Sequence, residues 1–201
     1  MTYLRQWQPL ALLPAFAMLL MLPGLAIQGG WLSFDYRLHA LLLVSLLCIA
    51  LCLLAGFSFR ELGLGRPSLR EHWAGCVALT AGIAAIMVLQ THLFAVDRQP
   101  PAWLSFAPFY VLVSSPCQEI VCRSIPKLMT DRLQSSSWTY VLYSAAVFSM
   151  IHIAYGDAAL LLNTFLLGVV WGVAYLRMQN IWPLILSHAA VGTLAFSLGL
   201  A

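Results

Sequence analysis

Charge is what this sequence has least of. Only 8% of its 201 residues are Asp, Glu, Lys or Arg, while 62% are hydrophobic. A water-soluble domain carries about 25% charged residues, so a fully hydrated exterior is excluded and lipid must solvate most of the surface. There is no Lys/Arg run and no basic face with interleaved aromatics. With a formal net charge of only +3, nucleic acid drops out as a partner. The five cysteines, Cys48, Cys52, Cys76, Cys117 and Cys122, include no C-x2-C pair of the zinc-binding kind. All fall in apolar stretches and read as small buried hydrophobes. Cys117 flanks Glu119 but has no adjacent base in sequence to make it a nucleophile. No soluble linker, low-complexity tract or internal repeat is visible.

What the chain does have is apolar length. A spanning helix needs about 20 mostly apolar residues, and seven segments fit: roughly 9–28, 38–59, 73–96, 103–131, 138–155, 158–177 and 181–200. These predict an all-α, polytopic membrane bundle of about seven transmembrane helices, forming one transmembrane domain over residues 1–201. The first segment shares Arg5, an apolar core and Pro23-Gly24-Leu25-Ala26 with cleavable signal peptides. Its long run reads as a retained helix.

The cations set the orientation. With a cytoplasmic N-terminus, the inner loops hold Arg5, Arg60, Arg66, Arg70, Lys127, Arg132 and Arg177, and the outer loops hold Arg37 and Arg98. That asymmetry follows the positive-inside rule and leaves the C-terminus outside. The expected location is the plasma membrane, the inner membrane of a bacterium. The stretch from Arg60 to Trp73 mixes basic residues with leucines and is expected along the cytoplasmic interface.

Against this background a few polar residues stand out. Glu119 and Arg123 lie four apart inside an apolar segment, on one helix face, where they can pair. Ionisable groups at that depth are costly and mark function. His152 and His188 lie in later segments of the same kind. Pro116, one turn before Glu119, is expected to bend the fourth helix or start a new one. Ser135-Ser136-Ser137 makes a short turn before the fifth. In an antiparallel hairpin centred there, Glu119 and His152 lie at one depth, roughly 20–25 Å from the turn. A carboxylate and an imidazole can jointly deprotonate water, and a second imidazole can stabilise an oxyanion.

At the level of motifs, Pro116-Cys117-Gln118-Glu119-Ile120-Val121-Cys122-Arg123 resembles the E-E-x-x-x-R motif of the CAAX prenyl protease and bacteriocin-processing family. Phe148-Ser149-Met150-Ile151-His152 is similar to its F-x-x-x-H motif, and Ser187-His188 followed by Ala189-Ala190-Val191-Gly192 resembles its H-x-x-x-N/D motif. Gly168-Val169-Val170-Trp171-Gly172 with Tyr175-Leu176-Arg177 looks like that family's penultimate helix. The resemblance spans about 108–196. Three departures are plain: Gln118 stands at the first glutamate, Gly192 at the Asn/Asp, and Ser124 at the glycine that usually follows the arginine.

The resemblance implies a helical intramembrane endopeptidase acting on a membrane-associated or lipidated peptide. It implies that Glu119 and His152 activate water, that His188 is an oxyanion donor and that Arg123 orients Glu119. Gln118 would position water or leave the base role to Glu119, and Thr193 or a backbone N–H would replace the donor missing at Gly192. No cofactor is expected. Zinc held by Glu119, His152 and His188 is the metal alternative. Gln118 and Gly192 also support a different expectation, a catalytically impaired pseudoprotease that binds a membrane peptide or partner, as a bacteriocin-immunity factor would.

Smaller expectations complete the reading. Asn163 and Thr164 should hydrogen-bond across helices. Gly168 and Gly172 form a small-x-x-x-small packing face. Trp31, Trp103, Trp138 and Trp182 read as interface anchors.

Overall fold

Every regular element among the described residues, 4–65, 69–93 and 101–200 of this computed structural model, is helical. A bilayer has no water for stray N–H and C=O groups, so a helix, which satisfies its own backbone, is the natural spanning unit. Seven helices follow one another: α1 Leu4–Gln28, α2 Arg37–Leu54, α3 Leu69–Leu93, α4 over 103–132, α5 Ser137–Met150, α6 Ala158–Met178 and α7 Trp182–Ser197. Among the described residues, Phe34–Leu54, His72–Leu93 and Ala158–Met178 are long and apolar enough to cross a membrane. Leu12–Gln28 and Trp182–Ser197 are shorter apolar helices. Leu104 is 97% exposed and Leu112 74% exposed, which only lipid makes tolerable. The protein is an integral membrane helical bundle. Arg66 and Arg98 lie outside the described residues, as do the side chains of Arg5 and Arg70.

Helix α4 carries the first motif and is irregular for a local reason. Two π turns, Tyr110–Ser114 and Ile120–Ser124, bracket a short α segment, Ser115–Glu119, before α-helix resumes over Ile125–Arg132. Pro116 and Pro126 each lie two residues past a π turn. A proline has no N–H and its ring presses on the carbonyl four residues back. The wider π turn relieves that clash without leaving helical backbone. The restart expected at Pro116 is therefore the Ser115–Glu119 segment. Pro126 also leaves the Cys122 carbonyl in need of donors. Arg123 Nη1 donates to it at 3.0 Å and Ser144 Oγ at 2.6 Å.

Helix α5 differs from the expected 138–155. The Ser136 side chain caps its start, accepting from Thr139 N at 3.1 Å. The helix then stops at Met150, so His152 lies in the turn beyond it, before a short 3-10 segment Ile153–Tyr155. Gly156, at φ +63°, reverses the chain in a conformation that glycine adopts without penalty. The Asp157 carboxylate then caps α6, accepting from Ala159 N at 2.8 Å and Leu160 N at 3.1 Å. Helix α1 supports this turn from the side, where Gln28 Nε2 donates to Ala154 O at 3.0 Å.

Close packing fixes the last three helices. A Cβ on Gly168 would lie 2.7 Å from Ala145 Cα, and one on Gly172 3.6 Å from Val141 Cα. The small-residue face of α6 therefore lets the α5 backbone approach, as expected. Helix α3 holds α7 through Thr80 Oγ1, which donates to Ser187 Oγ at 2.9 Å, and Cys76 Sγ, which donates to Pro183 O at 3.0 Å. Asn163 does bond across helices, accepting from Gln90 Nε2 at 3.3 Å. Thr164 does not: its hydroxyl donates to Leu160 O in its own helix at 2.8 Å, because the carbonyl one turn back is the nearest acceptor a helical threonine has. Trp31 and Trp138 are exposed near helix ends, and Trp182 Nε1 donates to Gly65 O at 3.0 Å.

Gly168→Leu should lower folding stability by about 1–3 kcal/mol, the usual cost of overpacking. Gly82, with open space around it, should accept Ala without loss. Unfolding in mixed detergent micelles measures both.

Candidate active site

Two ions without access to solvent form the centre of the site. Glu119 and Arg123 are both 0% exposed, and Arg123 Nε lies 3.6 Å from Glu119 Oε2. Burying such a pair costs several kcal/mol per ion unless hydrogen bonds surround it. The bundle supplies them on one side only: Arg123 Nη1 and Glu119 Oε1 are bonded, while Arg123 Nε and Nη2 and Glu119 Oε2 have no hydrogen-bond partner among the described residues. Arg123 Nη1 donates to Ser144 Oγ at 2.9 Å and to Ser144 O at 3.3 Å. Its guanidinium stands 4.7 Å from the centre of the Phe148 ring and 5.9 Å from that of Trp171, within reach of cation–π attraction. Glu119 Oε1 is paired at 2.7 Å with His188 Nδ1. A carboxylate only accepts, so the proton of this bond sits on Nδ1 and Nε2 is the ring nitrogen left for chemistry.

His188 is held from three sides. Trp171 stacks on it with ring centroids 4.8 Å apart and 24° between planes. Trp171 Nε1 donates to Ser187 Oγ at 3.2 Å, the partner a buried indole needs. Phe148 meets His188 edge to face at 5.4 Å.

The same phenylalanine organises His152. Where α5 ends, the Phe148 carbonyl loses its partner in the next turn. His152 Nδ1 lies 2.8 Å from that oxygen. A carbonyl cannot donate, so Nδ1 carries the proton here as well. Phe148 thus contacts both histidines and the arginine, with its ring 5.0 Å from that of His152. The spacing F-x-x-x-H follows from helix termination: four residues bring the imidazole back over the last free carbonyl.

The two histidines share a cavity of about 260 Å³, whose wall includes Tyr110, Gln118, Trp171 and Gly192. Gln118 Nε2 donates to Ser114 Oγ at 2.9 Å. Gln118 Oε1 has no partner. Glu119 is not on that wall; it stands behind His188.

The structure therefore brings Glu119, Arg123 and His188 into one chain of contacts, and His152, His188 and Gln118 around one cavity. Glu119 and His152 share no hydrogen bond among the described residues. Arg123 over Phe148 keeps the hairpin register expected from the sequence, so the missing direct bond has another origin. The physical reason is twofold. The π turn at Ile120–Ser124 adds a residue to α4, which rotates the preceding side chains by about 100° relative to an unbroken helix. Helix α5 also ends before His152. Two of the atoms that a zinc ion held by Glu119, His152 and His188 could use are already paired. Glu119 Oε1 and His188 Nδ1 are engaged with each other, and no metal-holding group of three His, Cys, Asp or Glu occurs among the described residues. Cys117 is half-buried, and all five cysteines are free thiols.

Sequence reading missed Tyr110, Ser144, Trp171 and Ser187 as parts of the site. A buried tryptophan and a serine next to a site histidine were the available signals for two of them. Tyr110 gave none.

Truncating one ion should be worse than removing both. Arg123→Met should cost about 3–5 kcal/mol by stranding the Glu119 charge, while the Arg123→Met/Glu119→Met pair should recover most of that loss. Unfolding free energies of the two variants decide it.

Residues 100–194 match the family model described as type II CAAX prenyl endopeptidase Rce1-like. No curated protein and no solved structure matches the chain.

Proposed function

From the membership of residues 100–194 in the type II CAAX prenyl endopeptidase Rce1-like family, we propose that this chain hydrolyses a peptide bond in a membrane-associated or lipidated peptide, using water activated by histidine. The observation that carries this reading is the buried Arg123–Glu119–His188 chain opening, through the imidazole, onto the cavity that His152 and Gln118 also line.

Each residue then has a chemical task. Glu119 holds the His188 tautomer and stabilises the imidazolium formed when Nε2 takes a proton from water. Arg123 holds Glu119 in place through their ion pair. His152, with its Nδ1 proton tied to the Phe148 carbonyl, offers Nε2 as a second acceptor for the same water. Gln118 cannot be a base, because an amide oxygen accepts a hydrogen bond but not a proton. Its unpartnered Oε1 can stand in for His152 Nε2 as hydrogen-bond acceptor of the second water proton. The apolar wall excludes bulk solvent and strengthens every interaction inside. Water oxygen attacks the carbonyl carbon, and the C–N bond breaks as the His188 imidazolium returns its proton to the leaving amine. No step requires a metal, so cleavage should survive a strong chelator.

His152→Ala and His188→Ala should each lower cleavage of an internally quenched prenylated CAAX-type peptide by at least about 10²-fold, at unchanged protein abundance. Gln118→Glu, which places a carboxylate on the cavity wall, should raise the rate. Full activity in either alanine variant ends this mechanism.

Gln118 and Gly192 favour a second reading, a binder of a membrane peptide without turnover. Peptide binding that survives Glu119→Gln, with no product seen by mass spectrometry, would select it.

The loop cations support a cytoplasmic N-terminus in a plasma membrane and an external C-terminus. A C-terminal alkaline phosphatase fusion should be active and a green fluorescent protein fusion dark; the reverse pattern inverts the topology.

A further inference from the structure

The position of Gly192 exposes a gap in the chemistry just described. Hydrolysis builds negative charge on the carbonyl oxygen, and a donor must meet it. Both histidines hold their Nδ1 protons in other bonds, which leaves Nε2 of each as an acceptor until water has been deprotonated. One of the two Gln118 amide N–H donors is used on Ser114 Oγ, and that bond fixes the amide with its Oε1 left unpartnered. Gly192 has no side chain. Thr193, one residue on, donates its hydroxyl to Ala189 O at 2.7 Å within α7, so it is engaged elsewhere.

The space beside Gly192 is nevertheless filled. A Cβ built there would lie 2.6 Å from Tyr110 Cζ and 2.8 Å from Cε1, and would overlap the hydroxyl itself. The phenol tip of Tyr110 thus occupies the volume that a side chain at 192 would take. Tyr110 is 5% exposed and lies on the cavity wall with His188 and Gly192. Its ring centroid is 6.1 Å from that of His188. It is also rigidly placed: Phe106 stacks on one face at 5.2 Å and 14°, and Phe196 meets it edge-on at 5.4 Å.

We propose that the Tyr110 hydroxyl is the oxyanion hydrogen-bond donor of this protein, reaching from α4 into the space that glycine leaves open on α7. This rests on the proteolytic reading above. In the step concerned, the water oxygen bonds to the carbonyl carbon, the C=O π pair moves onto the oxygen, and Tyr110 O–H donates to that oxygen without losing its proton. His188 Nε2 takes the proton of the water. When the intermediate collapses, the oxygen lone pair restores C=O, the C–N bond breaks and the amine leaves with the proton from His188. Residues 110 and 192 are then coupled: a phenol with glycine, or a small residue with a polar side chain at 192, but not a bulky residue at both.

The test uses the full-length chain in detergent micelles with the same quenched peptide. Tyr110→Phe keeps the ring and removes only the donor. Its kcat should fall about 10²-fold with KM within about 2-fold, the scale for loss of one oxyanion donor, and its thermal unfolding should match wild type. Gly192→Asn with Tyr110 retained should be impaired by collision. Tyr110→Ala/Gly192→Asn should recover at least about 10-fold in kcat over Tyr110→Ala alone, as expected if an amide donor replaces the phenol. Wild-type kcat in Tyr110→Phe overturns the proposal, as does a double variant no better than Tyr110→Ala. Those results would leave the peptidase reading standing. No cleavage by the wild-type chain would instead remove that reading and this inference together.

Discussion

A carboxylate and a guanidinium sealed away from water dictate how the second half of this bundle is built. Neither Glu119 nor Arg123 has any exposed surface, and desolvation of each ion has to be offset locally. The compensation draws on several helices. Helix α4 gives both ions and the Cys122 carbonyl, α5 gives Ser144 and the Phe148 ring, α6 gives Trp171, and α7 gives His188. Prolines that would damage an ordinary helix are part of the arrangement. Pro126 leaves the Cys122 carbonyl for Arg123 and Ser144 to use, and the π turns let α4 carry the ions without a break.

Among the described residues, His188 is the hydrogen-bonded link from Glu119 to the cavity wall. That imidazole has one nitrogen tied to the carboxylate behind it and its ring on the cavity wall. His152 is treated in parallel, its Nδ1 fixed by a carbonyl left free at a helix end. Both rings are oriented from behind, so little reorganisation is needed when a proton moves, which is the general basis of preorganised catalysis. The match of residues 100–194 to the type II CAAX prenyl endopeptidase Rce1-like family model supports peptidase chemistry in this part of the chain. The departures at Gln118 and Gly192 lie on the cavity wall and leave the supporting ions untouched. Tyr110, from a different helix, occupies the space beside Gly192.

Hydropathy made the seven helices legible, because span length is set by membrane thickness and carries little tertiary information. The ionisable residues were legible for the same reason: Glu119, Arg123, His152 and His188 stand out where polar groups are costly. Their pairing was not. Hairpin counting gives depth alone, so it could not show that Glu119 pairs with His188 or that α5 ends before His152. Packing controls both, and neither has a period that could be counted. Thr164 shows the same limit in miniature, since its hydroxyl chose its own helix over a neighbour.

Composition and spacing alone determined that this chain lives in lipid, that it crosses in helices, and which few polar residues stand out within it, because the cost of charge in hydrocarbon depends on residue type and depth. Tertiary structure alone decided which carboxylate oxygen meets which imidazole, that Glu119 stands behind the cavity while Gln118 faces it, and that Tyr110 fills the place beside Gly192. Those outcomes depend on helix rotation and close packing between segments up to about eighty residues apart, which no local pattern encodes.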